Sequence, residues 1–106
     1  MKRYTLEDFK KFERNKFEYI ICPSGDYTEI KEFPAHCIFG SGYRFGEYCR
    51  FGEGCHFGEH CCFEDMCDFG TMNYFAEGCH FGHACDFGNR CTFENSCDFG
   101  QYCHFG

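Results

Sequence analysis

A chain of 106 residues, 43% hydrophobic and 22% aromatic, has the length of one domain and enough apolar side chains for a continuous core. No stretch is apolar for long enough to cross a membrane, and the basic residues of Met1–Asp8 lead into no apolar run, so the expectation is a cytoplasmic protein without membrane contact. The net charge of −7 disfavours nucleic acid as a direct partner and favours a basic protein surface.

Thr5 followed by Leu6, Glu7 and Asp8 has the pattern of a helix start, a capping hydroxyl ahead of two acids in the first turn. Leu6, Phe9 and either Phe12 or Glu13 share a stripe, which predicts a two-turn helix to about Arg14. Lys16 to Cys22 then reads as a strand, closed by a turn at Pro23-Ser24-Gly25-Asp26.

From Cys37 to Gly106 the chain repeats one six-residue phrase, Cys-x-Phe-Gly-x-x, twelve times. Phe holds the third place in every copy. Cys holds the first except at Tyr43 and Asn73, and Gly the fourth except at Glu64, Ala76 and Glu94. A period this short means a solenoid, because one hexad cannot bury its own apolar face and must stack on its neighbours. Extended backwards, the register lands on Phe33, Tyr27 and Ile21, so the coil is expected to begin near Tyr19. Residues 1–18 are then a capping helix with a lead-in strand, 19–36 an irregular first coil, and 37–106 the repeat array. The pattern stops at Phe105-Gly106 in mid-phrase, which predicts either an edge open to a second copy or another protein, or a longer natural chain of which this is a fragment.

Written from the Phe, the phrase Phe-Gly-x-x-Cys-x resembles the hexapeptide repeat of left-handed parallel β-helices. In that family an aliphatic residue is followed by Gly, Ala, Glu or Asp, with a small residue four places on. Phe for Leu, Ile or Val and Cys for Ser, Thr, Ala or Val are departures, and they resemble a Cys- and Phe-rich subgroup of uncharacterised bacterial and phage proteins. The resemblance implies an all-β, left-handed parallel β-helix, a triangular solenoid of 18 residues per turn behind a short N-terminal helical cap. The physical reading agrees: in Cys-x-Phe the outer two residues point inwards and the middle one outwards. Gly and the two residues after it then turn each corner. Tyr43 and Asn73 interrupt the small-residue column and need local explanations, such as a wider first turn and a side-chain amide bonded to backbone.

In such a coil, cysteines stack about 4.8 Å apart with parallel Cα–Cβ bonds. A disulfide needs Cβ atoms about 3.5–4.5 Å apart and turned towards each other. The cysteines are therefore read as reduced thiols packing the interior.

Stacking sorts the outward residues into columns. The first face carries Ile38, His56, Tyr74 and Thr92, and its lack of fixed charge makes it a packing candidate. Tyr48, Met66, Ala84 and Tyr102 form an apolar ridge at one corner, where Tyr48, Met66 and Tyr102 are contact anchors. Cys62, His80 and Asp98 share a column whose residue types suit zinc or a nucleophile, base and orienting acid. Side chains in a parallel stack project side by side instead of converging, so the expectation is no metal, no cofactor and no catalytic residue. The resemblance also brings acyl transfer to mind, but no loop interrupts these coils and no distinguishing context surrounds any histidine.

The whole net charge lies on the repeats, where Arg44, Arg50 and Arg90 face ten acids. Four turns at about 4.8 Å span roughly 19 Å, a length over which duplex DNA carries around 11 charges at one per about 1.7 Å. Seven net charges are a partial match. The expected function is a non-enzymatic protein-binding solenoid, in its sharper form an inhibitor of phage or mobile-element type lying in a basic nucleic-acid-binding cleft. The residues to carry it are Glu47, Glu53, Glu59, Glu64, Asp65, Asp68, Glu77, Asp86 and Asp98. The alternative is a self-assembling structural element, a homo-oligomer joined through its open end or an apolar face.

Overall fold

The computed structural model describes residues 2–106. It is a parallel β-solenoid of about five turns built from strands of two or three residues. One sheet stacks Ile20–Ile21, Cys37–Phe39, His56–Phe57, Tyr74–Phe75 and Thr92–Phe93. A second stacks Arg44–Phe45, Cys62–Phe63, His80–Phe81 and Asp98–Phe99. The third stacks Glu32–Phe33, Arg50–Phe51, Asp68–Phe69, Asp86–Phe87 and His104–Phe105. The strands of these sheets pair in parallel, and from Phe33 on Phe lies opposite Phe from coil to coil, as Phe39 to Phe57 and Phe63 to Phe81.

Three phenylalanine ladders fill the interior. Within a ladder the rings lie nearly parallel, Phe57 on Phe75 at 4.8 Å and Phe63 on Phe81 at 4.9 Å. Between ladders they meet edge to face, Phe57 with Phe63 at 5.0 Å and 84°. Each ring thus presents its positive edge to a neighbour's negative face, an arrangement that adds about 0.5–1.5 kcal/mol per pair to area burial. Phe thereby fills a triangle that Leu or Ile would leave without this directional term. Phe99 and Phe105, on the last coil, are exposed.

The corners divide two demands between two places of the phrase. Gly at the fourth place does not supply the left-handed conformation. That falls on the sixth place, where Tyr48, His60, Met66, Met72, Ala84, Arg90, Ser96 and Tyr102 all have φ between 58° and 65°. The fourth-place glycine answers to close approach instead, since a Cβ on Gly58 would lie 2.6 Å from the carbonyl carbon of Gly40.

The leader also departs from expectation. The helix is a 3₁₀ segment, Leu6–Lys11, with the Asp8 carboxylate accepting the Thr5 N–H at 2.8 Å. It stops short of Arg14 because Phe12 N–H closes on Phe9 C=O and the chain then turns extended. An α-helix this short gains too few bonds to offset its nucleation. Phe9 is buried against Tyr27 and Phe33, with Tyr4 stacked on Tyr27. The strand expected from Lys16 shrinks to Ile20–Ile21 because Asn15 Oδ1 accepts the N–H groups of both Phe17 and Tyr19, folding those residues into a turn.

Tyr27 and Phe33 face inwards as the register requires, but Ile21 is 40% exposed and Ile20 is buried in its stead. Ile20 lies opposite Cys37 and Ile21 opposite Ile38, which leaves this first coil one residue short of the regular phrase. Cys22 N–H to Ile38 C=O at 3.0 Å fixes that offset.

Candidate functional site

The second residue of each hexad points out of a strand, and the pairing register sets these side chains in columns. Arg44, Cys62, His80 and Asp98 form one. His80 Nδ1 and Asp98 Oδ2 approach to 3.2 Å, so two of the three residues considered for chemistry do meet. Cys62 makes no hydrogen bond with His80, and among the described residues no group of three or more His, Cys, Asp or Glu is placed to hold a metal ion. The geometry there is an exposed histidine–carboxylate contact rather than a nucleophile–base–acid relay.

The third face carries Arg50, Asp68, Asp86 and His104 in register. Arg50 Nε lies 3.8 Å from Asp68 Oδ2. Partial burial, together with the Asp86 carboxylate one coil on, nevertheless holds the Asp68 carboxyl above its ordinary value. The remaining acids stand at corners. Glu59, Glu77 and Glu94 stack at one, Glu47 with Glu64 and Asp65 at a second, and Glu53 at the third, where Arg90 stands against it. Two corners are therefore negative and the third is balanced, and with Asp98, Asp68 and Asp86 on the second and third faces the acids spread over more than one side of the coil. Asp65 is partly committed, since its Oδ1 accepts the His83 N–H at 2.7 Å.

The ridge of Tyr48, Met66, Ala84 and Tyr102 lies in one column, with Tyr102 79% exposed. The first face is more occupied than its sequence suggested. Tyr19 folds over it, its ring 5.8 Å from His56, which in turn lies 5.7 Å from Tyr74. A groove of about 540 Å³ opens there between Asn15, Phe17, Tyr19, Ile38 and His56. Phe17 and Tyr19 were read as strand residues, and only the Asn15 turn brings them to this face; an Asn ahead of an aromatic run was the available signal.

In the interior the cysteines are more than apolar filler, because from Cys49 on each inner thiol donates to a carbonyl of the coil beneath. Cys61 Sγ reaches Gly40 O at 3.3 Å, Cys79 reaches Gly58 O at 3.4 Å, and Cys67 reaches Gly46 O at 3.4 Å. Cys91, Cys97 and Cys103 repeat the contact. A buried carbonyl at a tight corner needs a donor, and a small side chain with a weak one fits where Ser would cost more to desolvate. All twelve cysteines are free. Neighbouring thiols and burial push Cys67 up to about 12, and burial raises Cys91, Cys97 and Cys103 as well.

Both irregular residues of the cysteine column are accounted for. Tyr43 lies against Tyr27 and donates its hydroxyl to Cys22 C=O at 2.9 Å. Asn73 accepts Cys55 N–H and donates to Gly70 C=O.

No family model, curated protein or solved structure matches this chain. What the molecule does has to be read from its own surface.

Proposed function

We propose that this protein is a non-catalytic binding module, a rigid acidic coil that lies in a basic, nucleic-acid-binding cleft of another protein. The observation that carries the proposal is the placing of charge: the whole net −7 belongs to the repeats, and its carboxylates recur at two corners and on the third face of a stiff stack. Charge spread over most of the coil suits a partner that encloses its ligand, as a cleft built for a polyanion does. On this reading the coil is left-handed with eighteen residues per turn, the hexapeptide-type β-helix its phrase resembles, and the 3₁₀ leader seals its first turn. A reducing, cytoplasmic setting fits twelve free thiols. The inhibitor role of phage or mobile-element type belongs to the same proposal.

The test is affinity capture from nuclease-treated bacterial lysate with the wild type and with a Glu47→Lys, Glu59→Lys, Glu77→Lys variant. The expected result is one nucleic-acid-binding protein, released by moderate salt and by duplex DNA, and lost with the variant while circular dichroism is unchanged. Capture that survives charge reversal rejects the proposal.

Self-association through the first face is the second reading. It is favoured by Phe17, which is 68% exposed beside Tyr19 and Ile38. Sedimentation of wild type against Phe17→Ser separates the two, because only self-association depends on Phe17.

A further inference from the structure

The inner cysteines stand in columns whose register is fixed by the strands that follow them. Cys49, Cys67, Cys85 and Cys103 precede the paired residues Arg50, Asp68, Asp86 and His104. Cys61, Cys79 and Cys97 precede Cys62, His80 and Asp98. Cys22, Cys37 and Cys55 form a third column, which Asn73 separates from Cys91. The coil-to-coil distance, read from the rings beside them, is 4.9 Å for Phe63 on Phe81 and 4.9 Å for Phe69 on Phe87.

That distance is too long for a disulfide, which would need Cβ atoms about 3.5–4.5 Å apart. With one atom between the sulfurs the spacing fits. A metal–thiolate bond is about 2.3 Å, so two in line span about 4.6 Å. Each column offers a bound ion two sulfurs and no third, because the Phe ladders separate the columns and no larger ligand group converges among the described residues. A tetrahedral site for zinc cannot be assembled from two ligands. Thiolate pairs select soft cations, Cu(I) foremost.

We propose that the cysteine columns bind soft, two-coordinate d¹⁰ cations, of the Cu(I) and Hg(II) class, each held in line between thiolates of adjacent coils. Binding is a proton–metal exchange. Two S–H bonds break, two sulfur–metal bonds form, both protons leave to solvent and no electron moves. The weak thiol-to-carbonyl bonds at those cysteines are given up in return. A divalent ion leaves the pair neutral and a monovalent ion leaves one negative charge, so the aromatic surroundings favour the divalent ion. The half-buried Cys97 and Cys103 give access to two of the columns. This inference is independent of what the outer surface binds.

The test is anaerobic titration of the reduced full chain with Cu(I) or Hg(II). The columns predict two ions among Cys49, Cys67, Cys85 and Cys103, one among Cys61, Cys79 and Cys97, and one among Cys22, Cys37 and Cys55. Each should release two protons and leave the far-ultraviolet circular dichroism in place. Cys79→Ser separates Cys61 from Cys97 by two coils and should lose one equivalent, whereas Cys91→Ser, next to Asn73, should lose none. X-ray absorption on the wild type, which requires no variant to fold, should show a shell of two sulfurs. A shell of three or four, equal uptake of zinc by the folded chain, uptake only with loss of the β signal, or unchanged stoichiometry in Cys79→Ser would overturn the proposal.

Discussion

Asn73 Oδ1 accepts the backbone N–H of Cys55, one coil away, at 2.7 Å, while its Nδ2 donates to Gly70 C=O at 3.0 Å. Asn73 is the one buried polar side chain among the described residues, 1% exposed, and it replaces a cysteine in the column. Asn73→Ala removes both bonds and strands the buried Cys55 N–H, while Gly70 C=O keeps the Cys91 thiol. Leaving such a group unpaired costs about 1–3 kcal/mol. The expected outcome is a lower unfolding midpoint in urea at unchanged m-value; a midpoint within error of wild type would show that the amide contributes nothing.

How this residue could be foreseen, and others could not, has a physical basis. The period of six and the apolar alternation within Cys-x-Phe dictate stacking, so Phe39 on Phe57 and the paired column His80–Asp98 were legible from spacing alone. Asn73 stood out as a polar residue at an inward place, where only a hydrogen bond makes burial tolerable. The leader obeys no repeat, so its register came from local bonds. The Asn15 side chain turned Phe17 and Tyr19 onto the first face, and a coil one residue short exchanged Ile20 for Ile21 inside. At the corners, composition alone did not divide the roles, because Gly signals both left-handed φ and close approach. Here the close approach at Gly58 belongs to the fourth place, and the positive φ to residues such as Met66 at the sixth.

Ionisation of the thiols ties stability to alkaline pH. Cys67 is held at about 12, with Cys85, Cys91, Cys97 and Cys103 also raised against an ordinary value of 9.0, while Cys49 and Cys61, lowered by the neighbouring thiols of Cys67 and Cys79, offset this only in part. A folded-state value above the unfolded one gives stability that is complete below the unfolded value and is lost as pH rises. Above about pH 9 the unfolded chain sheds protons that the folded chain retains, so unfolding is favoured progressively. The melting temperature of the reduced protein should be level from pH 7 to about 8.5 and fall steeply beyond it. A level profile to pH 11 would contradict buried, protonated thiols.

Asp68 gives the opposite test, on the acid side. Its carboxyl is raised by partial burial and by Asp86 beyond what Arg50 compensates, so the charged form is the disfavoured one in the folded state. The stability linked to protonated Asp68 is present below the ordinary carboxylate value and lost as pH rises through the raised one. Asp68→Asn should therefore stabilise the coil at pH 7 by about 0.2–1 kcal/mol, the range for like charges opposed across strands, and have no such effect near pH 3. Destabilisation at pH 7 would mean that the Arg50 contact outweighs the repulsion.

The sixth place yields an expectation that runs against the usual cost of glycine. Met72 has φ 58° and is 51% exposed, so its side chain gains little from packing while its backbone sits in a conformation that L-residues disfavour. The left-handed region costs such a residue roughly 1–2 kcal/mol, whereas glycine loses about 0.5–1 kcal/mol in chain entropy. The difference favours Met72→Gly by about 0.5–1 kcal/mol, and the natural glycines at this place, Gly54 with φ 66° and Gly78 with φ 77°, are accommodated on the same backbone. Thermal unfolding should therefore shift upwards for Met72→Gly. Ala84→Gly, with φ 59°, should move the same way. A fall in both would mean that the side chains at the corners, not the backbone, hold the turns in place.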